Sequence, residues 1–367
     1  MMLSEDPPPM WLVYAGLFFA MCTCSSAAVV FTHLTEQMGV PPALCASWRL
    51  AWVDMIQFLP FLLTLRTVRR QDRERELVQH WEDEGMALRE EDAVEEPLEV
   101  EMEMEMELEA PLLPRIFRAI PLICLSGSCL GVHFSSWTYS LRETSLTHSL
   151  LWVSMGPIII NGGSWIAYMI GCNPRSPSWI ETGGTLFGLA GALIMLIDVN
   201  AGVREAGGPS LAGDLFALLG AAAVSVYLVV GRNLREWMPL WIYSFGVVGI
   251  AYATCLVLAF ACGEMDAGFS IYGMFQHPYL WYALYLGIGP GIAGHTLLNY
   301  LVKFVSPLTI STAMLSEPLF GSYLGYLAGM QPMPGLYTWL GGMVLLVGLF
   351  AILYGETEKE DKKEELY

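Results

Sequence analysis

The sequence predicts an all-α integral membrane protein with ten transmembrane helices in two related halves, and three observations carry that reading. Of its 367 residues 54% are hydrophobic and only 15% charged, with a mean hydropathy of +0.49. A soluble chain of this length could not hide so much apolar surface. Part of the chain is also duplicated. Leu146-Thr147-His148-Ser149 runs up to Pro157, Leu308-Thr309-Ile310-Ser311 runs up to Pro318, and His133 and His295 each stand thirteen positions before the leucine of their copy. Finally, the basic residues are distributed unequally between alternate loops.

About 20 apolar residues cross a bilayer as a helix, and ten stretches qualify: 11–32, 42–65, 117–140, 146–170, 179–198, 211–231, 239–262, 280–302, 308–329 and 336–354. With ten spans, the termini and the loops after spans two, four, six and eight share one side. That side holds fifteen of the eighteen Lys and Arg residues; the other holds Arg142 and Arg204, and Arg49 lies within span two. Such a split is the positive-inside pattern with both termini cytoplasmic. Missing one early span would scatter the basic loops over both sides. The same count runs spans four and nine, which carry the two copies, in opposite directions.

Span one begins near Trp11 with no Lys or Arg before it and no small-residue cleavage site after it, which predicts a retained helix rather than a signal peptide. Span two carries Arg49 and Asp54, five positions apart and so not stacked on one face. Residues 66–114 form an acidic insertion. Within it, 72–110 hold seventeen Asp or Glu against three Arg, a local charge of −14 out of the total −18. A run of like charges predicts a disordered cytoplasmic loop, with a protein partner docking there as the functional alternative. Span three carries His133 and Trp137 one turn apart, and span four carries the first copy, with His148 and Trp152 at the same spacing near its mouth. Span five (Gly183, Gly184, Gly188, Gly191) and span ten (Gly341, Gly342, Gly348) have glycines for close helix approach. Gly213-Asp214 opens span six. Gly287, Gly289, Pro290, Gly291 and Gly294 crowd the first half of span eight, which predicts a bend before His295 and Asn299. In span nine Glu317 directly precedes Pro318, whose missing donor predicts an opened backbone. Residues 356–367 form a charged tail, and the eight cysteines lack paired metal-ligand spacing.

In order and spacing, these landmarks resemble the EamA-like members of the drug/metabolite transporter superfamily. The second half carries them as Gly213-Asp214, Tyr300 and Lys303, Ser306-Pro307, Glu317-Pro318 and Gly341; the first half matches more loosely through Arg49, Pro157, Gly183 and Gly184. The resemblance implies two inverted five-helix repeats around a substrate path, residues 1–65 with 115–200 forming the first and 208–355 the second. One departure is plain. Where such proteins often carry a Glu about ten residues before the glycine of the next span, this chain has Asn173 before Gly183 and Gln331 before Gly341.

Function is read from polar groups in the spans, because a charge placed in hydrocarbon costs about 2.5–3.5 kcal/mol on insertion scales. His133 and His295 fall at depths related by inversion, as a two-fold axis in the membrane plane requires. With Trp137 and Asn299 they are the candidate substrate-binding residues; neutral histidines bonded between helices are the structural alternative. Arg49 and Glu317 are the candidate gating or charge-pairing residues; pairing of Glu317 with Arg49 is the first reading of the two, and binding of a proton or a cationic group by Glu317 is the alternative. No phosphate loop, zinc-protease helix or nucleophile elbow is present. The expectation is therefore a secondary transporter or facilitator of a small organic solute within a lipid bilayer, not an enzyme, using no cofactor, metal or nucleic acid. The competing class, a non-transporting receptor or scaffold that binds partners through the acidic loop, gives no reason for a duplicated half.

Overall fold

The computed structural model describes residues 8–90, 111–144, 149, 152–172, 177–202, 210–267, 269–327 and 333–364. Among them every regular element is helical and none is a strand. Helix α1 (Met10–Thr32) ends in a π turn, His33–Gln37, and Gly39 at φ +70° reverses the chain into α2. That left-handed conformation is cheap only for glycine.

Helix α2 (Pro42–Glu90) has 49 residues, which at about 1.5 Å each is more than twice the hydrocarbon thickness. The stretch Pro42–Leu77 contains an apolar window long enough to cross a membrane. The segment beyond 65, expected to begin a disordered insertion, thus continues the helix to Glu90. Arg, Glu, Leu and Gln are good helix formers, and Arg70 Nε donates to Glu74 Oε1 at 2.7 Å in an i,i+4 pair. Residues 91–110 of the insertion lie outside the described residues. Where the chain returns, Asp72 accepts from the backbone N–H groups of Leu112 (2.9 Å) and Leu113 (2.8 Å), capping α3 (Leu112–Arg118). Asp72 thus ties α2 to the point where the chain returns.

Helix α4 (Ile120–Glu143) is joined to α7 (Leu211–Arg235) by Thr144, whose hydroxyl donates to Asp214 Oδ1 at 2.9 Å and accepts from the Ser210 N–H at 3.1 Å. The Gly213-Asp214 pair therefore marks a helix junction. Between them lie α5 (Gly156–Met169), started by Pro157 in its first turn, and α6 (Trp179–Gly202). Helix α8 is Leu240–Ala261. Span eight is broken into α9 (Tyr279–Leu286), a π segment (Gly287–Thr296) and α10 (Leu297–Leu301). The glycines let that segment pass between α1 and α2: a Cβ at Gly287 would lie 2.6 Å from the Trp52 Cβ, and one at Gly294 would lie 2.6 Å from the Cys24 Sγ. Span nine is also broken, into α11 (Pro307–Met314) and α12 (Glu317–Leu327), with the restart at Glu317-Pro318 where the sequence predicts it. Helix α13 is Leu336–Glu364.

Among the described residues six helices are long and apolar enough to cross a membrane: 10–35, 42–77, 120–143, 211–235, 240–261 and 336–355. Of the other four expected spans, 146–170 is helical only over the 14 residues of α5, 179–198 lies in α6, whose apolar stretch is Trp179–Met195, and the last two are interrupted among the described residues. Helix α4 packs on α7 and α8, α8 on α2, α2 on the π segment, the π segment on α1, and α1 on α12. Helices α6 and α13 pack against each other along much of their length. There Gly191 lies against the backbone of Gly341 and Leu345, and Gly184 against that of Gly348.

Candidate functional site

At the meeting point of these helices is a cavity of about 50 Å³, lined by Arg49 of α2, His133, Phe134 and Trp137 of α4, His295 of the π segment and Glu317 of α12. Gly156-Pro157 and Ser311 are also part of the lining. The duplicated segments touch here: a Cβ at Gly156 of the first copy would lie 2.8 Å from the Ser311 Oγ of the second. Leu146, Thr147 and His148 of the first copy lie outside the described residues, as do Asn173 and Gln331. A volume of 50 Å³ suits one or two waters and is far below the 300–1,000 Å³ of a typical organic-ligand pocket.

Arg49 is 2% exposed. Its Nη2 donates to the Pro290 carbonyl at 3.1 Å, and its guanidinium carbon lies 4.6 Å from the Phe134 ring centre and 5.8 Å from that of Phe31. Pro290 leaves the helical hydrogen-bond pattern irregular around it, and the arginine uses the carbonyl of that same residue. Among the described residues Arg49 makes no ion pair, so it shares the cavity wall with Glu317 without the direct contact the sequence suggests.

His133 Nδ1 donates to the Gly220 carbonyl of α7 at 2.9 Å, which fixes the tautomer and leaves Nε2 as the acceptor. Its ring stacks on Trp137 at 6.4 Å and 10°. His295 meets the edge of Phe134 at 5.1 Å. Arg49 Nε, Trp137 Nε1 and His295 Nδ1 are buried with no hydrogen-bond partner among the described residues. Such groups are rare in folded proteins and mark water, a ligand or a second conformation.

Asn299 is placed differently from the other candidates. Its Oδ1 accepts from the Tyr227 hydroxyl, its Nδ2 donates to Ser244 Oγ at 3.4 Å, and its carbonyl accepts from Arg235 Nε at 2.9 Å. It joins α7, α8 and α10 and borders a smaller void of about 10 Å³ beside Arg49 and His295. Asp54 also lies off the cavity wall, beside Gly249 of α8.

Both ends of the bundle are fastened. Where α2 begins, Glu264 accepts from the N–H groups of Ala43 (3.3 Å) and Leu44 (2.8 Å), while Trp48 and Trp52 donate to the carbonyls of Ser270 (3.2 Å) and Met274 (3.4 Å). Burial pushes the Glu264 carboxyl above its ordinary value, against the opposing pull of those N–H groups and of Arg142. Where α10 ends, Arg232 donates to the carbonyls of Val302 (2.7 Å) and Val305 (3.2 Å), as cations do at a helix C-terminus.

Sequence reasoning missed Phe134, which touches both Arg49 and His295, and Ser311. Phe134 follows His133 and in isolation reads as lipid-facing apolar bulk. Ser311 was visible only as part of the repeat.

Residues 211–354 match the EamA-like transporter family, consistent with the drug/metabolite transporter superfamily. Among curated proteins none matches the chain. One solved crystal structure aligns over 94% of this chain and 98% of its own, at 18% identity and a TM-score of 0.58, a likeness of fold alone.

Proposed function

From the EamA-like transporter match of residues 211–354, we propose that the protein is a secondary transporter or facilitator moving a small organic metabolite by alternating access. Its ten spans form two inverted repeats, 1–65 with 115–200 and 208–355, with both termini cytoplasmic and 66–114 inserted in the first. One observation carries this reading: a single cavity is walled by Arg49, His133 and Trp137 from the first half and by His295 and Glu317 from the second. Three of these side chains present buried polar atoms with no partner among the described residues. Each such atom costs about 1–3 kcal/mol unless something binds it, and a solute is suited to that role. Contact of Gly156 with Ser311 at the same point supports rocking of two repeats about a midplane site.

A cavity of 50 Å³ is a closed conformation in this reading. The fastened ends are its two gates, and solute enters after one set of contacts releases. His133 and His295 bind solute through ring nitrogens, Trp137 provides a flat face, Arg49 and Glu317 set the charge, and Asn299 positions α10 against α7.

Proteoliposomes loaded from a metabolite panel, with and without a pH gradient, test this. Net flux of at least one solute is expected, and a His133→Gln/His295→Gln variant with wild-type unfolding behaviour should lose most of it. Undiminished flux in that variant removes the histidines from the mechanism. Solute binding without flux for the whole panel would point to the receptor class instead.

A further inference from the structure

The part of α2 that outruns the expected span carries a pattern the transport reading does not use. Arg66, Arg69, Arg70 and Arg73 stand at i, i+3, i+4 and i+7, one stripe of the helix, and all four are exposed. The other face is committed inward: Val68 is 1% and Asp72 4% exposed, and Asp72 caps α3. Arg70 pairs with Glu74 at 2.7 Å, whereas Arg66, Arg69 and Arg73 have neither an ion pair nor a side-chain hydrogen bond among the described residues.

The stripe continues an apolar one. Leu59 (63% exposed) and Leu63 (53% exposed) precede Arg66 and Arg70 at helical spacing on the same side. From Leu63 the arginines begin about 5 Å further along the axis and extend to about 15 Å, which spans the headgroup layer of about 5–8 Å and its aqueous margin. Exposed leucines followed by unpaired cations match the outline of one phospholipid. A topogenic signal needs only the number of positive charges on one side; it does not require them on one face in line with the leucines.

We propose that Arg66, Arg69 and Arg73 bind the anionic headgroup of a phospholipid whose acyl chains lie along Leu59 and Leu63. Placing this face at the cytoplasmic leaflet rests on the orientation proposed above; the binding does not depend on transport. Arginine suits the ligand because its planar fork takes two phosphate oxygens at once. Glu74 acts as an internal competitor by holding Arg70.

The full chain in nanodiscs of phosphatidylcholine, alone or mixed with phosphatidylserine, tests this by native mass spectrometry of retained lipid and by thermal unfolding. Phosphatidylserine should be retained preferentially and raise the unfolding midpoint, both effects weakening at high salt. At about fivefold in affinity per arginine, an Arg66→Gln/Arg69→Gln/Arg73→Gln variant should lose on the order of a hundredfold while matching wild type in phosphatidylcholine alone. Should that variant fail to fold, Glu74→Gln alone decides, because releasing Arg70 should strengthen phosphatidylserine retention by about fivefold. Equal retention of both lipids by wild type, or unchanged selectivity in either variant, overturns the proposal. Glycerophosphoserine and inorganic phosphate should produce no comparable shift, because they lack chains for the leucine face; a matching shift would also overturn it. None of these readouts involves solute, so a missing flux and a missing lipid site are separate results.

Discussion

Arg49 is held by the Pro290 carbonyl and two aromatic faces, and that environment distinguishes arginine from lysine. Lysine keeps the charge but presents no plane to Phe134. A desolvated cation–π contact is worth about 2 kcal/mol, so Arg49→Lys should lower solute flux on the order of tenfold in proteoliposomes with protein yield unchanged. Glu264 gives a pH-dependent prediction. Its folded pKa is raised above the 4.5 of a free glutamate, so folding favours the protonated acid. The associated stability is present below that value and is lost as pH rises through the folded pKa. Glu264→Gln should flatten the decline of the unfolding midpoint from acid to neutral pH. Glu264→Ala, which strips both N–H groups of their acceptor, should cost about 1–3 kcal/mol at every pH.

At the scale of elements, glycines of similar appearance in sequence do different work. Gly191 faces the Gly341 carbonyl and the Leu345 backbone across the α6–α13 contact, whereas a Cβ at Gly162 of α5 would meet nothing within 4 Å. Gly191→Ala should therefore destabilise by about 1–3 kcal/mol through overpacking. Gly162→Ala should be neutral or stabilise by up to about 1 kcal/mol through helix propensity. Denaturation midpoints in detergent check the pair. The breaks in spans eight and nine were legible because proline and clustered glycine have local consequences for hydrogen bonding. That the first break takes π form was not legible, since it depends on the fit of Gly287 and Gly294 against α2 and α1.

For the whole molecule, the described residues of the acidic insertion are tied to the body through Val68, through Asp72 and through the start of α3, and none of them lines the cavity. Deleting 76–109 leaves that clasp in place, so flux per protein should stay within about twofold of wild type, a change smaller than 1 kcal/mol. Loss of flux on deletion would give the insertion a role in the cycle itself. By itself the sequence determined the helical membrane class, and it selected His133, Trp137, His295, Arg49 and Glu317 together with Asn299. Apolar length, helical spacing and charge in hydrocarbon are strong signals that need no neighbour. Only the tertiary structure decided that those five share one wall while Asn299 bonds between helices. It also showed Arg49 against Phe134 and Pro290 rather than in contact with Glu317, and α2 running on as helix to Glu90. Which side chains meet depends on how helices distant in sequence rotate and pack, and a one-dimensional pattern carries no information about that rotation.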